Sequence, residues 1–177
     1  MEFVMVGSDQ IDPRVRMDLR DLWRRAFDDR FSDEDADHAY GGVHVLAHDG
    51  DRLVGHASAV PRRIRFGDGP WRTVGYVEAV ATDPERQGEG IGQRTMKMLQ
   101  AEIAVRWPVA LLSTGRAKGF YELLGWEPWR GLSYTETAAG VVADGEHGGL
   151  MVLRVDPSVV PDLSVAVTCE DRPGDAW

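Results

Sequence analysis

Residues 84–95 read PERQGEGIGQRT, with glycines at 88, 90 and 92 and an arginine, Arg86, just before them. Downstream, Ile91, Thr95, Met98, Leu99 and Ile103 recur at helical spacing, and upstream YVEAVAT (76–82) reads as a strand. A glycine-rich turn that enters a helix offers bare main-chain N–H groups at the helix's partly positive end, which is a receptor for phosphate oxygens. Two familiar loops of this kind do not fit. A Walker A loop needs Lys-Ser or Lys-Thr after its last glycine, where this chain has Gln93-Arg94. A dinucleotide fingerprint needs Gly-x-Gly-x-x-Gly directly after a strand, and here the run is Gly88-x-Gly90-x-Gly92 with DPER in between.

Working outward, Pro108 closes the helix and VALLST (109–114) has the short apolar character of a strand covered on both faces. GRAKGFYELLG (115–125) sets Ala117, Phe120, Tyr121 and Leu124 on one helical stripe and stops at Gly125. On the other side, VHVLAHDGDRLVGHASAVP (43–61) places a strand on each side of Asp49-Gly50, a dipeptide suited to a tight hairpin turn. RRIRFGDGPWRTVGYVEAVAT (62–82) repeats the arrangement around Gly67-Asp68-Gly69. EFVMVG (2–7) is a first strand, PRVRMDLRDLWRRAF (13–27) a helix opened by proline, and SDEDADHAY (32–40) a short helix whose Ser32 and Asp35 form a capping box. After residue 126 one clear strand lies near Met151–Val155, followed by a tail rich in Pro, Asp and Gly. Hairpins in the first half and strand-helix alternation in the second give an α+β domain with a mixed, mostly antiparallel sheet.

The chain has 177 residues, 43% of them apolar, and fits a single domain, 1–177. It has no membrane-length apolar run and no secretion signal, and its one cysteine, Cys169, forms no internal disulfide, so it reads as cytoplasmic. A net charge of -9 disfavours nucleic acid and attracts polycations. His44 and His48 are four apart, but they lie in a strand with no HExxH, so no metal is expected. Cys169 sits in the tail without a histidine partner, which speaks against a covalent acyl-enzyme.

Gln87-x-x-Gly90-x-Gly92, in the order strand, loop, helix, followed by GFYELLGWE (119–127), resembles the GNAT superfamily of acetyl-coenzyme A-dependent N-acetyltransferases. The resemblance implies that fold, with splayed parallel strands 4 and 5 holding the pantetheine. Val80 and Thr82 would pair with pantetheine through their main chain, and the N–H near Val80 would polarise the thioester carbonyl. Arg86, Gln87, Gly88, Gly90, Gly92 and Gln93 would cradle the pyrophosphate. Tyr121 would return a proton to the departing thiolate.

Three more stretches, GYVEAVA (75–81), LGWEPW (124–129) and CEDRPGDAW (169–177), resemble the aminoglycoside 2'-N-acetyltransferases over about Pro13 to Trp177. That resemblance implies an acid-lined pocket for a polycationic amine, built from Asp35, Glu78, the neighbouring Ala79, Asp175 and Trp177 with its carboxylate. Ser113 would hydrogen-bond the acceptor. Glu78, on the same strand face as Val74, Tyr76, Val80 and Thr82 by alternation, is the expected general base, acting through water. Asp35 can equally serve only as the cap. Arg30 stands where the family has an acidic contact, and VVADGEHGG (141–149) departs from the family's acidic loop, leaving Asp144 or Glu146 for that place. Another amine, such as a cell-wall amino sugar or a polyamine, and a non-catalytic acyl-coenzyme A sensor stay open. The family's frequent dimers admit a homodimer, which the residues alone do not decide.

Overall fold

A computed structural model describes residues 1–28, 30–144 and 149–177; Glu146 lies outside the described residues. The chain falls into two compact units: Met1–Val60 with Val77–Glu102, and Pro61–Tyr76 with Ile103–Trp177.

The first unit contains β1 (Glu2–Gly7), β2 (Val43–Asp49), the opening part of β3 (Arg52–Phe66) and the closing part of β4 (Trp71–Thr82), adjacent in that order. β1 runs antiparallel to β2, and β2 antiparallel to β3. The hairpin pairs Asp49 with Arg52, so its central residues are Gly50-Asp51 rather than Asp49-Gly50. Gly50 has φ +59°, and Asp51 stays out of the left-handed region. The turn therefore needs one permissive residue, not two.

Helix α1 (Pro13–Ala26) is opened by Asp12, whose carboxylate accepts the Val15 N–H, and by Pro13 in its first turn. It buries Leu19, Leu22 and Trp23 against Leu46, Leu53 and Ala81 of the strands. Helix α2 (Asp33–His38) has both bonds of the expected capping box, Ser32 with Asp35. Helix α3 (Ile91–Arg106) begins close over β3, because Gly55 has no side chain. A Cβ there would stand 2.7 Å from Ile91 Cγ2. That contact seats the start of α3, and hence the glycine loop, on the sheet.

In the second unit the strand order is β6 (Glu127–Pro128), β9 (Leu150–Arg154), β5 (Val109–Ser113), β4, β3, β10 (Val167–Glu170), β7 (Ser133–Thr137), β8 (Gly140–Ala143). β4 with β5 and β10 with β7 are parallel; β5 with β9, β6 with β9, β10 with β3 and β7 with β8 are antiparallel. The β4–β5 ladder is short, with Gly75 opposite Ala110 and Tyr76 opposite Leu111. Val109 to Leu112 are fully covered, as their continuous apolar run anticipates. Helix α4 (Lys118–Glu122) follows, and Gly125 takes φ +87° just beyond it.

The stretch after residue 128 holds more sheet than the sequence reading anticipates. Ser133–Thr137 and Gly140–Ala143 form a hairpin, and Val167–Glu170 adds a strand parallel to the first of them. Cys169 is therefore not in a loose tail but fully buried in β10, and burial raises its thiol pKa, which leaves it inert.

Candidate active site

Loop 83–90 is anchored at its base. Asp83, whose side chain is inaccessible, pairs with Arg52 at 2.7 Å and Arg25 at 3.2 Å, and its other oxygen accepts the Glu85 N–H. Burial alone would raise the Asp83 pKa, but the Glu85 bond and the two arginines outweigh it and the net shift is downward. At the next corner, Arg86 grips Glu89 through two nitrogens, at 2.8 and 2.9 Å, and Asp49 at 2.6 Å. The Arg86 bonds hold the carboxyls of Glu89 and Asp49 below their usual range. With its guanidinium engaged by two carboxylates, Arg86 braces the loop.

Past that corner the loop is open. Gln87, Gly88, Glu89 and Gly90 are exposed. Gly88 (φ +84°) and Gly90 (φ +78°) are left-handed, and a Cβ on either would meet nothing within 4 Å. The first intrahelical bond at this end runs from Arg94 N–H to Gly90 O, so the N–H groups of Ile91, Gly92 and Gln93 have no acceptor inside α3. Left-handed glycines, free space and unclaimed helical N–H groups fit a diphosphate held by main chain.

The strand leading to the loop is interrupted at Ala79. With φ +52°, this residue has a conformation disfavoured for any residue with a Cβ. The break ends strict alternation, so the expected shared face of Glu78 with Val80 and Thr82 does not carry across it. Main-chain oxygens on both sides of the break are held: Ser58 Oγ donates to Glu78 O at 3.2 Å, and His56 Nδ1 lies 2.8 Å from Ala79 O. Glu78 itself is half-buried, as are Ala79, Val80 and Thr82.

The first unit thus brings together Glu78, Ala79, Val80, Thr82 and the 86–93 loop as one continuous stretch, with Asp35 elsewhere in it. The Asp35 carboxylate accepts the Ser32 N–H at 2.8 Å, so its structural duty is the cap of α2. An open cleft of about 400 Å3 between α1 and α2 is lined by Trp23, Phe31, Arg20 and Asp33 among others, and by none of the expected site residues.

The second unit carries Ser113, Tyr121, Asp175 and Trp177. Ser113 is exposed at the end of β5. Tyr121 is buried edge-on to Trp126 and Phe120, and burial raises its phenol pKa, so it keeps its proton near neutrality. Segment 171–177 is folded back by arginines. Arg62 donates to Glu170 O and Ala176 O, both at 2.9 Å, while its guanidinium lies over the Tyr76 ring. Arg172 donates to Asp175 O at 2.8 Å, and Asp175 Oδ1 accepts the Trp177 N–H. Asp144 is tied to Ser133 through main chain and side chain.

The sequence reading overlooked His56 and took His44 only as a possible metal ligand. Both are fully buried. The available signal was a histidine in the apolar run on each side of the hairpin turn. Among the described residues, no group of three or more His, Cys, Asp or Glu is arranged to hold a metal, and no helix is long and apolar enough to cross a membrane.

Comparison with known proteins gives three kinds of match. The acetyltransferase (GNAT) domain family matches residues 16–129. An aminoglycoside 2'-N-acetyltransferase of Mycolicibacterium fortuitum is 33% identical over 98% of this chain and 90% of its own length. Among solved structures, the GNAT family N-acetyltransferase YhbS of Escherichia coli, in complex with coenzyme A, superposes with TM-score 0.68 at 14% identity, over 98% of this chain and 93% of that one. An aminoglycoside 6'-N-acetyltransferase complexed with coenzyme A superposes with TM-score 0.60 at 20% identity, over 87% and 98%.

Proposed function

Since this chain belongs to the GNAT acetyltransferases, we propose that it moves the acetyl group of acetyl-coenzyme A to the 2'-amine of an aminoglycoside. One observation carries the choice of acceptor: the identity of 33% to an aminoglycoside 2'-N-acetyltransferase extends over nearly the whole of both chains. The net charge of -9 supports a polycationic substrate as well, since several ammonium groups gain charge-assisted hydrogen bonds from carboxylates.

The roles follow the chemistry of each group. Main-chain N–H groups of residues 87–93 hold the diphosphate. Glu78 takes a proton from the bound ammonium through water, because only the free amine has the lone pair that attacks the acetyl carbon. The Val80 N–H is directed at the carbonyl oxygen, where negative charge grows as the new C–N bond forms. The C–S bond then breaks; Tyr121, holding its proton at neutral pH, protonates the sulfur as the thiol leaves, and the second proton shed by the attacking nitrogen as it becomes an amide restores the phenol through solvent. Asp175 contributes a carboxylate to the acceptor's cations.

The test is thiol release from acetyl-coenzyme A with a pair of aminoglycosides, one with and one without a 2'-amine. Release with only the first is expected. Release with both assigns another amine, and release with neither overturns the aminoglycoside reading.

A further inference from the structure

Three side chains with no part in the chemistry above form a hydrogen-bonded line that ends at the Ala79 break. Ser8 Oγ lies 2.7 Å from His44 Nε2, His44 Nδ1 3.0 Å from His56 Nε2, and His56 Nδ1 2.8 Å from Ala79 O. Counting lone pairs sets the direction of the line. Ser8 Oγ accepts the N–H groups of Gly41 and Gly42 at 2.9 and 3.0 Å, which fills both its acceptor sites and leaves it only a proton to give. Of the two acceptors in reach, His44 Nε2 at 2.7 Å is nearer than Gly42 O at 3.2 Å.

His44 therefore carries its proton on Nδ1 and donates to His56 Nε2. His56 in turn carries its proton on Nδ1 and donates to Ala79 O, an oxygen that can only accept. The reversed line would crowd three donors onto Ser8 Oγ and set two lone-pair atoms 2.8 Å apart at Ala79. It would serve one contact better, the Trp23 Nε1–H at 3.1 Å from His56 Nδ1, a single longer bond against those two conflicts. Burial, with Arg16 adding to it at His44 and His44 adding to it at His56, lowers the two pKa values to about 4 and about 3, so each ring holds the single proton this line requires.

We propose that His56 is a positioning residue for acetyl transfer: its Nδ1–H holds the Ala79 carbonyl, and thereby the left-handed break that aims the Val80 N–H, while His44 and Ser8 fix its tautomer. The proposal rests on the acetyl-transfer reading. It explains how a residue with a Cβ is kept at φ +52° in the middle of a strand, a conformation that persists only where its surroundings enforce it.

Nitrogen-15 NMR of histidine-labelled protein at neutral pH, without substrate, reads the tautomers directly. Two buried neutral rings protonated on Nδ1 are expected, and a His56 protonated on Nε2 overturns the proposal. Kinetics then compare His56→Phe, which removes the donor, with His56→Asn, whose amide N–H can take the place of Nδ1–H. The Phe variant should lose about tenfold or more in kcat with the KM for acetyl-coenzyme A within about twofold, since misaiming one oxyanion donor acts on the transition state. The Asn variant should return to within about threefold of the parent. A Phe variant with parental kcat, or a folded Asn variant as slow as the Phe variant, overturns the proposal.

Should the Phe variant not fold, Ser8→Ala asks the same question from the far end of the line. It should lower kcat several-fold, and parental kcat there overturns the proposal. A parent protein that releases no thiol with any amine ends the acetyl-transfer reading and this proposal with it. That outcome is distinct from failure of the proposal alone, which shows only as variants measured against an active parent.

Discussion

Acidification should weaken this protein well before its carboxylates titrate. His44 and His56 have folded pKa values of about 4 and about 3, against 6.5 for the ordinary side chain. Burial is the main cause at both, with Arg16 facing His44 and His44 facing His56. The other groups against them, Ser8, Trp23 and Tyr40, are neutral. Because the folded values are depressed, the unfolded chain binds more protons in the window between them and 6.5, and stability falls as pH falls. At pH 5.5 each unfolded imidazole is protonated about ten to one while the folded rings remain neutral, which costs roughly RT ln 11, or about 1 to 2 kcal/mol per ring. Two rings give about 3 kcal/mol between pH 8 and 5.5. The figure depends on the unfolded value and hardly on the folded ones, since pH 5.5 lies above both. Urea unfolding at constant ionic strength should show the midpoint moving down by about 1.5 M, taking a slope of about 2 kcal/mol/M. His44→Gln should remove about half of that movement. A midpoint constant within about 0.3 M, or a full shift in a His44→Gln, His56→Asn double variant, refutes the reasoning.

Three other outcomes test the assigned roles. Glu78→Gln should lower kcat by about 10²–10⁴ and abolish the acid limb of its pH profile, measured by thiol release; an unchanged profile removes Glu78 as base. Gly90→Val forces a Cβ-branched residue into φ +78°, a strain of about 1–2 kcal/mol, and should weaken acetyl-coenzyme A binding about tenfold by calorimetry. Undiminished affinity would show that the loop's main chain does not hold the diphosphate. Arg62→Met deletes two charge-assisted hydrogen bonds worth about 1.5–3 kcal/mol each and should speed amide hydrogen exchange across 171–177 by at least an order of magnitude. Unaltered exchange would deny Arg62 that anchoring role.

The loop and its flanking elements were legible because they depend on local rules: glycines before a helix, apolar periodicity, Pro108 as a stop. The hairpin at Gly50 was legible for the same reason, to within one residue. The β7–β8 hairpin and β10 were not, because SYTET and VTCE carry no strong alternation, and VTCE takes its strand geometry from partners far away in sequence, Arg65 and Ser133 among them. The break at Ala79 was also invisible. Nothing in the residue type announces a positive φ, and the side chains that hold the main chain there, His56 and Ser58, come about twenty positions earlier. Asp35 shows the converse, a cap read correctly from Ser32-x-x-Asp35 alone.

The glycine loop is fastened at its two ends, by the buried carboxylate of Asp83 below and by α3 above, and clasped between them by Arg86 on Glu89, while a Cβ on Gly88 or Gly90 would meet nothing. Such a build separates heritable tolerance from heritable risk. Changes at position 87 can be sampled by drift or by a library with small folding penalty, whereas replacing Glu89 releases the Arg86 clasp and replacing Asp83 removes the one carboxylate that Arg25 and Arg52 share.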